Sequence, residues 1–170
     1  MKSRVASLFI LALLSVFSFA SQTEAEYSDP EGKYRFKLYS EWKAVSFSDA
    51  VGRQKTEFVY RDRSEGLLKI SRQTLSVSLE NFVREEEQNL KIYRSGYQRV
   101  TSEQFGGGAL SGIMLSFFTA EGGRQMANAH YYLQDGNTVW TLRFTGKRGT
   151  LDVLRNTTDQ IARSFRTTSK

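Results

Sequence analysis

The sequence predicts an α+β domain: a central antiparallel β-sheet flanked by two main helices, arranged as an α/β/α or two-layer sandwich. Three observations carry this. Apolar and polar residues alternate in short runs, the mark of half-buried strands. Tight turns bearing Gly, Asn and Asp join several of those runs, and only antiparallel neighbours can be joined so closely. Two longer segments place apolar residues at helical spacing on one stripe, which must be buried against another layer.

Tyr34, Phe36 and Leu38 alternate with Arg35 and Lys37, giving a first strand. A second stretch over 42–47 continues it after a turn at Ser40-Glu41. Residues 56–61 form another strand, with Phe58 and Tyr60 on one face. Ser64-Glu65-Gly66 turns the chain into 67–75, where Leu68 and Ile70 share a side, so the pair reads as an antiparallel hairpin. Ser78 is placed to cap a helix over 79–94, because its hydroxyl can accept from an orphan backbone N–H. Glu80 in the first turn complements the helix dipole. Leu79, Phe82, Val83 and Leu90 make the apolar stripe, and Gly96 stops the helix.

Strands follow over 97–104, 112–119, 125–133 and 138–145. Ile113, Leu115 and Phe117 share one face, as do Trp140, Leu142 and Phe144. Gly122-Gly123 and Asp135-Gly136-Asn137 are hairpin turns, since Gly and Asn tolerate positive φ. Thr150 is placed to cap a closing helix with Asp152 in its first turn. Leu151, Leu154, Thr158, Ile161 and Phe165 line its inner face, and Arg155 and Arg163 face away. Domain organisation is therefore a polar N-terminal tail over 21–33, one domain over 34–166 and a polar tail over 167–170.

The N-terminus carries an export signal. Lys2 and Arg4 precede 15 uncharged residues over 5–19, and Ser18-Phe19-Ala20 offers small residues where a signal peptidase reads. That run is shorter than the roughly 20 residues of a membrane-spanning helix, which argues against a permanent anchor. Cleavage falls after Ala20, with a second candidate after Ala25. An exported chain is expected in a periplasm or outside the cell. The chain has no cysteine, so it offers no thiol for lipoprotein acylation and no disulfide. Removing residues 1–20 leaves 150, one domain's worth, which buries roughly 70% of its unfolded surface. The first 20 residues hold two of the 24 basic residues and none of the 18 acidic ones, so the remainder keeps a net charge of +4. Its cations are scattered, which suits a solvated surface with weak attraction to anionic surfaces and does not suit nucleic acid.

Catalytic constellations are not expected. His130 is the only histidine, placed within a strand, and one histidine forms no ligand cluster by itself. No Gly-x-Ser-x-Gly elbow occurs. Gly106-Gly107-Gly108 is followed by neither the Lys-Ser/Thr of a phosphate loop nor a helix, so it reads as a bulge or turn between strands. Glu85, Glu86 and Glu87 point 100° apart along a helix and read as a solvated face. Trp42 and Trp140 read as core anchors. No cofactor and no metal site is expected. Lys33, Arg35 and Lys37 form the one local basic row, either a partner-binding surface or charge that protects an edge strand.

Several stretches, in this order, resemble the PsbP-like superfamily, the group that takes in PsbP, the Mog-type proteins and the DcrB-like exported proteins. They are residues 27–36 (YSDPEGKYRF) leading to Trp42, then Gly108-Ala109 opening a strand. Tyr131-Tyr132 before Asp135-Gly136 follows, then 139–145, and last Ile161-Ala162-Arg163-Ser164-Phe165. The chain departs from the family at Ser40-Glu41, where a proline is common, and in having no cysteine to acylate. The resemblance implies a central antiparallel sheet flanked by helices and a non-enzymatic binding or accessory role. It carries over no metal-binding or partner-binding residue.

The leading expectation is an exported accessory protein that docks an envelope or extracellular protein through its sheet edge or the basic row. The alternative is a carrier for a small apolar or anionic ligand, with a pocket between sheet and helix near Trp42 or Trp140. An enzyme reading would need convergent carboxylates, or His130 in a deep cleft.

Overall fold

The computed structural model describes residues 24–168; the expected export signal over 1–20 lies outside them. Ten strands and three helices occur among the described residues, and every strand pairing is antiparallel.

The chain opens with β1 (Glu24–Ser28) and β2 (Tyr34–Tyr39). Part of the stretch expected as a tail is therefore a strand, with Tyr27 opposite Phe36. Its outer residues are charged, which hid it, while Tyr27 turns inward onto Phe58, 4.7 Å between ring centroids. Ser40, at φ 61°, makes the sharp turn into β3 (Trp42–Ser48). β3 does not continue β2: it crosses to a second sheet and pairs with β4 (Gln54–Tyr60), Trp42 facing Tyr60.

β5 (Gly66–Thr74) closes the expected hairpin with β4. Helix α1 (Leu79–Tyr93) follows, and the Ser78 hydroxyl accepts from the Asn81 N–H at 3.3 Å. Next come β6 (Gln98–Phe105), β7 (Ser111–Glu121), β8 (Arg124–Asp135) and β9 (Thr138–Lys147). Gly122 and Gly123, at φ 56° and 76°, supply the left-handed pair that a two-residue turn needs to match strand twist. At the next hairpin only Gly136 takes positive φ, at 57°.

The closing segment is two helices, α2 (Arg148–Val153) and α3 (Arg155–Ser164), followed by β10 (Arg166–Thr167). The expected inner stripe holds: Leu151, Leu154, Thr158, Ile161 and Phe165 are all buried. Continuity fails at Leu154, whose φ −83°, ψ 0° leaves the α region. Thr150 is not a cap either. It sits inside α2 and donates its hydroxyl to Glu65 Oε2 at 2.5 Å. Thr167, expected in the tail, pairs with Tyr34.

The architecture is thus two sheets and three helices rather than one sheet and two. The seven-stranded sheet runs β3-β4-β5-β9-β8-β7-β6, and the small one runs β1-β2-β10. Strand alternation sends Ile113, Leu115, Phe117, Tyr132 and Val139 to one face, where Leu79 and Val83 of α1 cover them. Met114, Tyr131, Leu133, Leu142 and Phe144 go to the other face. There the small sheet brings Phe36 and Leu38, and α2–α3 brings Leu151, Ile161 and Phe165. Each covered face buries apolar surface at about 25 cal/mol per Å².

Candidate functional site

The basic row is balanced by acids. Lys37 pairs with Glu24, Lys33 with Glu31, and Arg35 Nη1 lies 3.7 Å from Glu26. β1 supplies Glu24 and Glu26 beside β2, so the row presents alternating charge. It does not protect an edge, because β2 lies between β1 and β10. Both tryptophans are core residues: Trp42 meets Phe144 edge-on at 5.5 Å and Trp140 meets Phe165 at 5.4 Å. Neither borders either of the two concavities described next.

The first concavity is a polar cleft of about 610 Å³ beside α1. Helix α1 covers β7 and β8 but leaves part of the sheet open, and the inward-alternating positions there are polar. Asn128 of β8 bridges its neighbours: its amide donates to Thr119 Oγ1 at 3.0 Å, and Thr145 donates to its carbonyl at 2.9 Å. His130, two residues on, is 5% exposed, and its Nδ1 lies 3.3 Å from the Tyr132 hydroxyl. Burial, then the nearby Arg143 and Arg94, pull its pKa down to about 3, so the ring is neutral at physiological pH.

Arg63, Lys69, Arg94 and Arg143 border the cleft, with Glu86 and Glu121. Arg63 and Lys69 share Glu57 at 3.0 and 3.1 Å. Of the other two, Arg143 donates to Ser71 Oγ at 2.7 Å and lies 3.4 Å from Glu86, and Arg94 lies 3.7 Å from Glu121. A guanidinium carries five N–H donors, so both can donate to a further carboxylate.

The acidic run on α1 divides. Glu85 is exposed, Glu86 faces the cleft and Glu87 is buried. Glu87 accepts from the Tyr97 hydroxyl at 3.0 Å, with Lys91 at 3.3 Å and Arg99 at 3.6 Å. Helical geometry explains this: Glu87 follows Val83 by one turn and shares its inward face.

The second concavity lies on the opposite face. It is a cavity of about 230 Å³ between β7–β8 and α2–α3, bounded by Ser116, Phe118, Ala127, Ala129, Tyr131 and Leu151. Among the described residues, no three acidic, histidine or cysteine side chains converge as a metal set. None of the described helices is long and apolar enough to cross a membrane.

The sequence marked His130 only as a strand residue whose role would depend on a deep cleft, and did not mark Asn128, Thr119, Thr145 or Arg143. A signal was present: Asn128 and His130 are alternate residues of one strand, hence polar groups on a single face. That the face is a covered one became visible only with the sheet order.

No family model and no curated protein sequence matches the chain. Solved structures do. CyanoP, the PsbP of the cyanobacterium Synechocystis sp. PCC 6803, superposes with a TM-score of 0.61 at 13% identity, covering 91% of this chain and 98% of that one. LpqN of Mycobacterium tuberculosis, involved in cell envelope biogenesis, gives 0.63 at 13% identity, covering 88% and 92%. A Pseudomonas aeruginosa protein of unknown function gives 0.55 at 11% identity, covering 83% and 94%. These likenesses show a PsbP-like fold.

Proposed function

We propose, from the PsbP-like fold this chain shares with CyanoP and LpqN, that it is an exported, non-enzymatic accessory protein of the cell envelope. It binds a carboxylate-bearing segment of a partner protein in the cleft beside α1. The observation that carries this reading is the pair Arg94 and Arg143, each with N–H donors to spare, above a buried polar floor of Asn128, Thr119 and His130. Burying such polar groups costs free energy, and a binding role offsets that cost in function. Export rests on the pattern of residues 1–20, and the envelope setting on the likeness to LpqN.

Binding is favoured over turnover even though His130 does line a cleft. An imidazole with a pKa near 3 is a weak base, far below the pH at which general catalysis is efficient. The cleft is favoured over the basic row because Lys33 and Lys37 are closely paired with Glu31 and Glu24, and the row has no buried polar floor beneath it.

The test is an NMR titration of the labelled protein with a short oligoglutamate peptide. The reading expects shifts at Asn128, Thr119 and the Arg94 and Arg143 side chains, lost in Arg94→Glu and kept in Arg35→Glu/Lys37→Glu. Shifts confined to β2, or none, would overturn it.

A further inference from the structure

We infer that the cavity between the seven-stranded sheet and α2–α3 is a binding site for a small single-ring compound bearing one hydroxyl group. This is independent of the α1 cleft, because alternation places the two on opposite faces of the sheet.

Small side chains create the space. Ser116, Ala127 and Ala129 occupy neighbouring positions of β7 and β8, with Ser116 directly opposite Ala129. On the strand beyond, Ala129 faces Phe144, so the same sheet face elsewhere carries large rings. The walls above are Phe118, Tyr131 and Leu151. The result is a pocket of about 230 Å³ that opens to solvent along one side, room that a ligand can take from water. An apolar cavity of about 150 Å³ takes benzene, and this one has room for a ring and a substituent. Aromatic walls favour a ring through edge and face contacts.

One polar atom specifies the substituent. The Ser116 hydroxyl oxygen is buried with no hydrogen-bond partner, and Ser116 lines the cavity. A buried hydroxyl left unpaired is costly, and a ligand hydroxyl would satisfy it. Tyr131 does not compete, since its own hydroxyl is bonded to Thr158 and Asp159.

Access lies at the rim, where Val100 is 52% exposed beside Asp152 and Arg155. Arg155 Nη2 of α3 reaches Glu103 Oε1 of β6 at 3.0 Å, both about half exposed. An exposed pair of this kind opens at little cost, so it can admit a ligand without unfolding.

Phenol and toluene are the probes, added at millimolar concentration to protein with labelled alanine methyls. Both should shift the Ala127 and Ala129 methyls. Ser116→Ala should weaken phenol about five-fold, the worth of one hydrogen bond, and leave toluene unchanged. Ala129→Leu, which fills the cavity, should abolish both while keeping or raising the thermal midpoint. No methyl shift with either probe, or shifts that persist in Ala129→Leu, would overturn the assignment. So would a lowered midpoint in Ala129→Leu, since it would show that the space is already filled.

Discussion

Arg143 of β9 reaches Ser71 of β5 at 2.7 Å and Glu86 of α1 at 3.4 Å, so one guanidinium ties two strands and a helix together at the head of the cleft. Both charged side chains are roughly a quarter exposed, and the pair is long. Replacing Glu86 by Gln should therefore cost little stability, below about 1 kcal/mol. It should also tighten oligoglutamate binding by leaving Arg143 to the ligand. Calorimetric titration of Glu86→Gln against the parent decides this, and weaker binding would mean that Glu86 positions Arg143 rather than competing with the ligand.

His130 gives a pH signature. Its folded pKa is near 3, against about 6.5 for an unperturbed imidazole. Arg143 of β9 and Arg94 beyond α1 add to burial in holding it down, with Tyr132 and Phe117 packed on the ring. The unfolded chain binds this proton first. Stability is complete above about pH 7, falls as pH drops towards 3, and levels below that. Carboxylates held low by partners, such as Glu65 beside Lys147 and Thr150, add their own loss only below about pH 4.5. Urea denaturation between about pH 5 and 6.5 should thus show a slope that His130→Gln removes.

Thr158 anchors α3 to the sheet. It is 1% exposed, and its Oγ1 lies 2.9 Å from both the Tyr131 hydroxyl and the Arg155 carbonyl, which compete for its single proton because Tyr131 gives its own to Asp159. Thr158→Val keeps the shape and removes both contacts. A loss of about 1–3 kcal/mol is expected in urea denaturation, because the buried Tyr131 hydroxyl loses one of its two partners.

Trp42 separates packing from hydrogen bonding. Its indole Nε1 is buried without a partner, so Trp42→Phe removes volume and an unsatisfied donor together. That variant should cost clearly less than Trp42→Ala, for which about 3–5 kcal/mol is expected. Equal losses in thermal denaturation would contradict the absence of a polar role for the indole.

Much of the fold was legible because it is written in local periodicity. The alternation over Trp140, Leu142 and Phe144 and the helical stripe of α1 each name a buried face without reference to the rest of the chain. The Gly122-Gly123 turn likewise states its own geometry. What escaped was non-local. β1 reads as a charged tail because only Tyr27 turns inward. β10 is too short for a period. The break at Leu154 leaves the apolar stripe unchanged, so no pattern marks it.

For this protein the sequence alone determined the strand and helix faces, the antiparallel pairing of neighbours and the tryptophans' place in the core. Those depend on side-chain direction within a few residues. Tertiary structure decided which strands share a sheet, that β2 is central in a small sheet, and that its cations meet β1's acids. It also decided that Asn128, His130, Arg94 and Arg143 gather at one cleft and that three small residues stack into a cavity. Each of these turns on residues from separate strands and helices coming into register, and a distance between strands is not encoded in the spacing along any one of them.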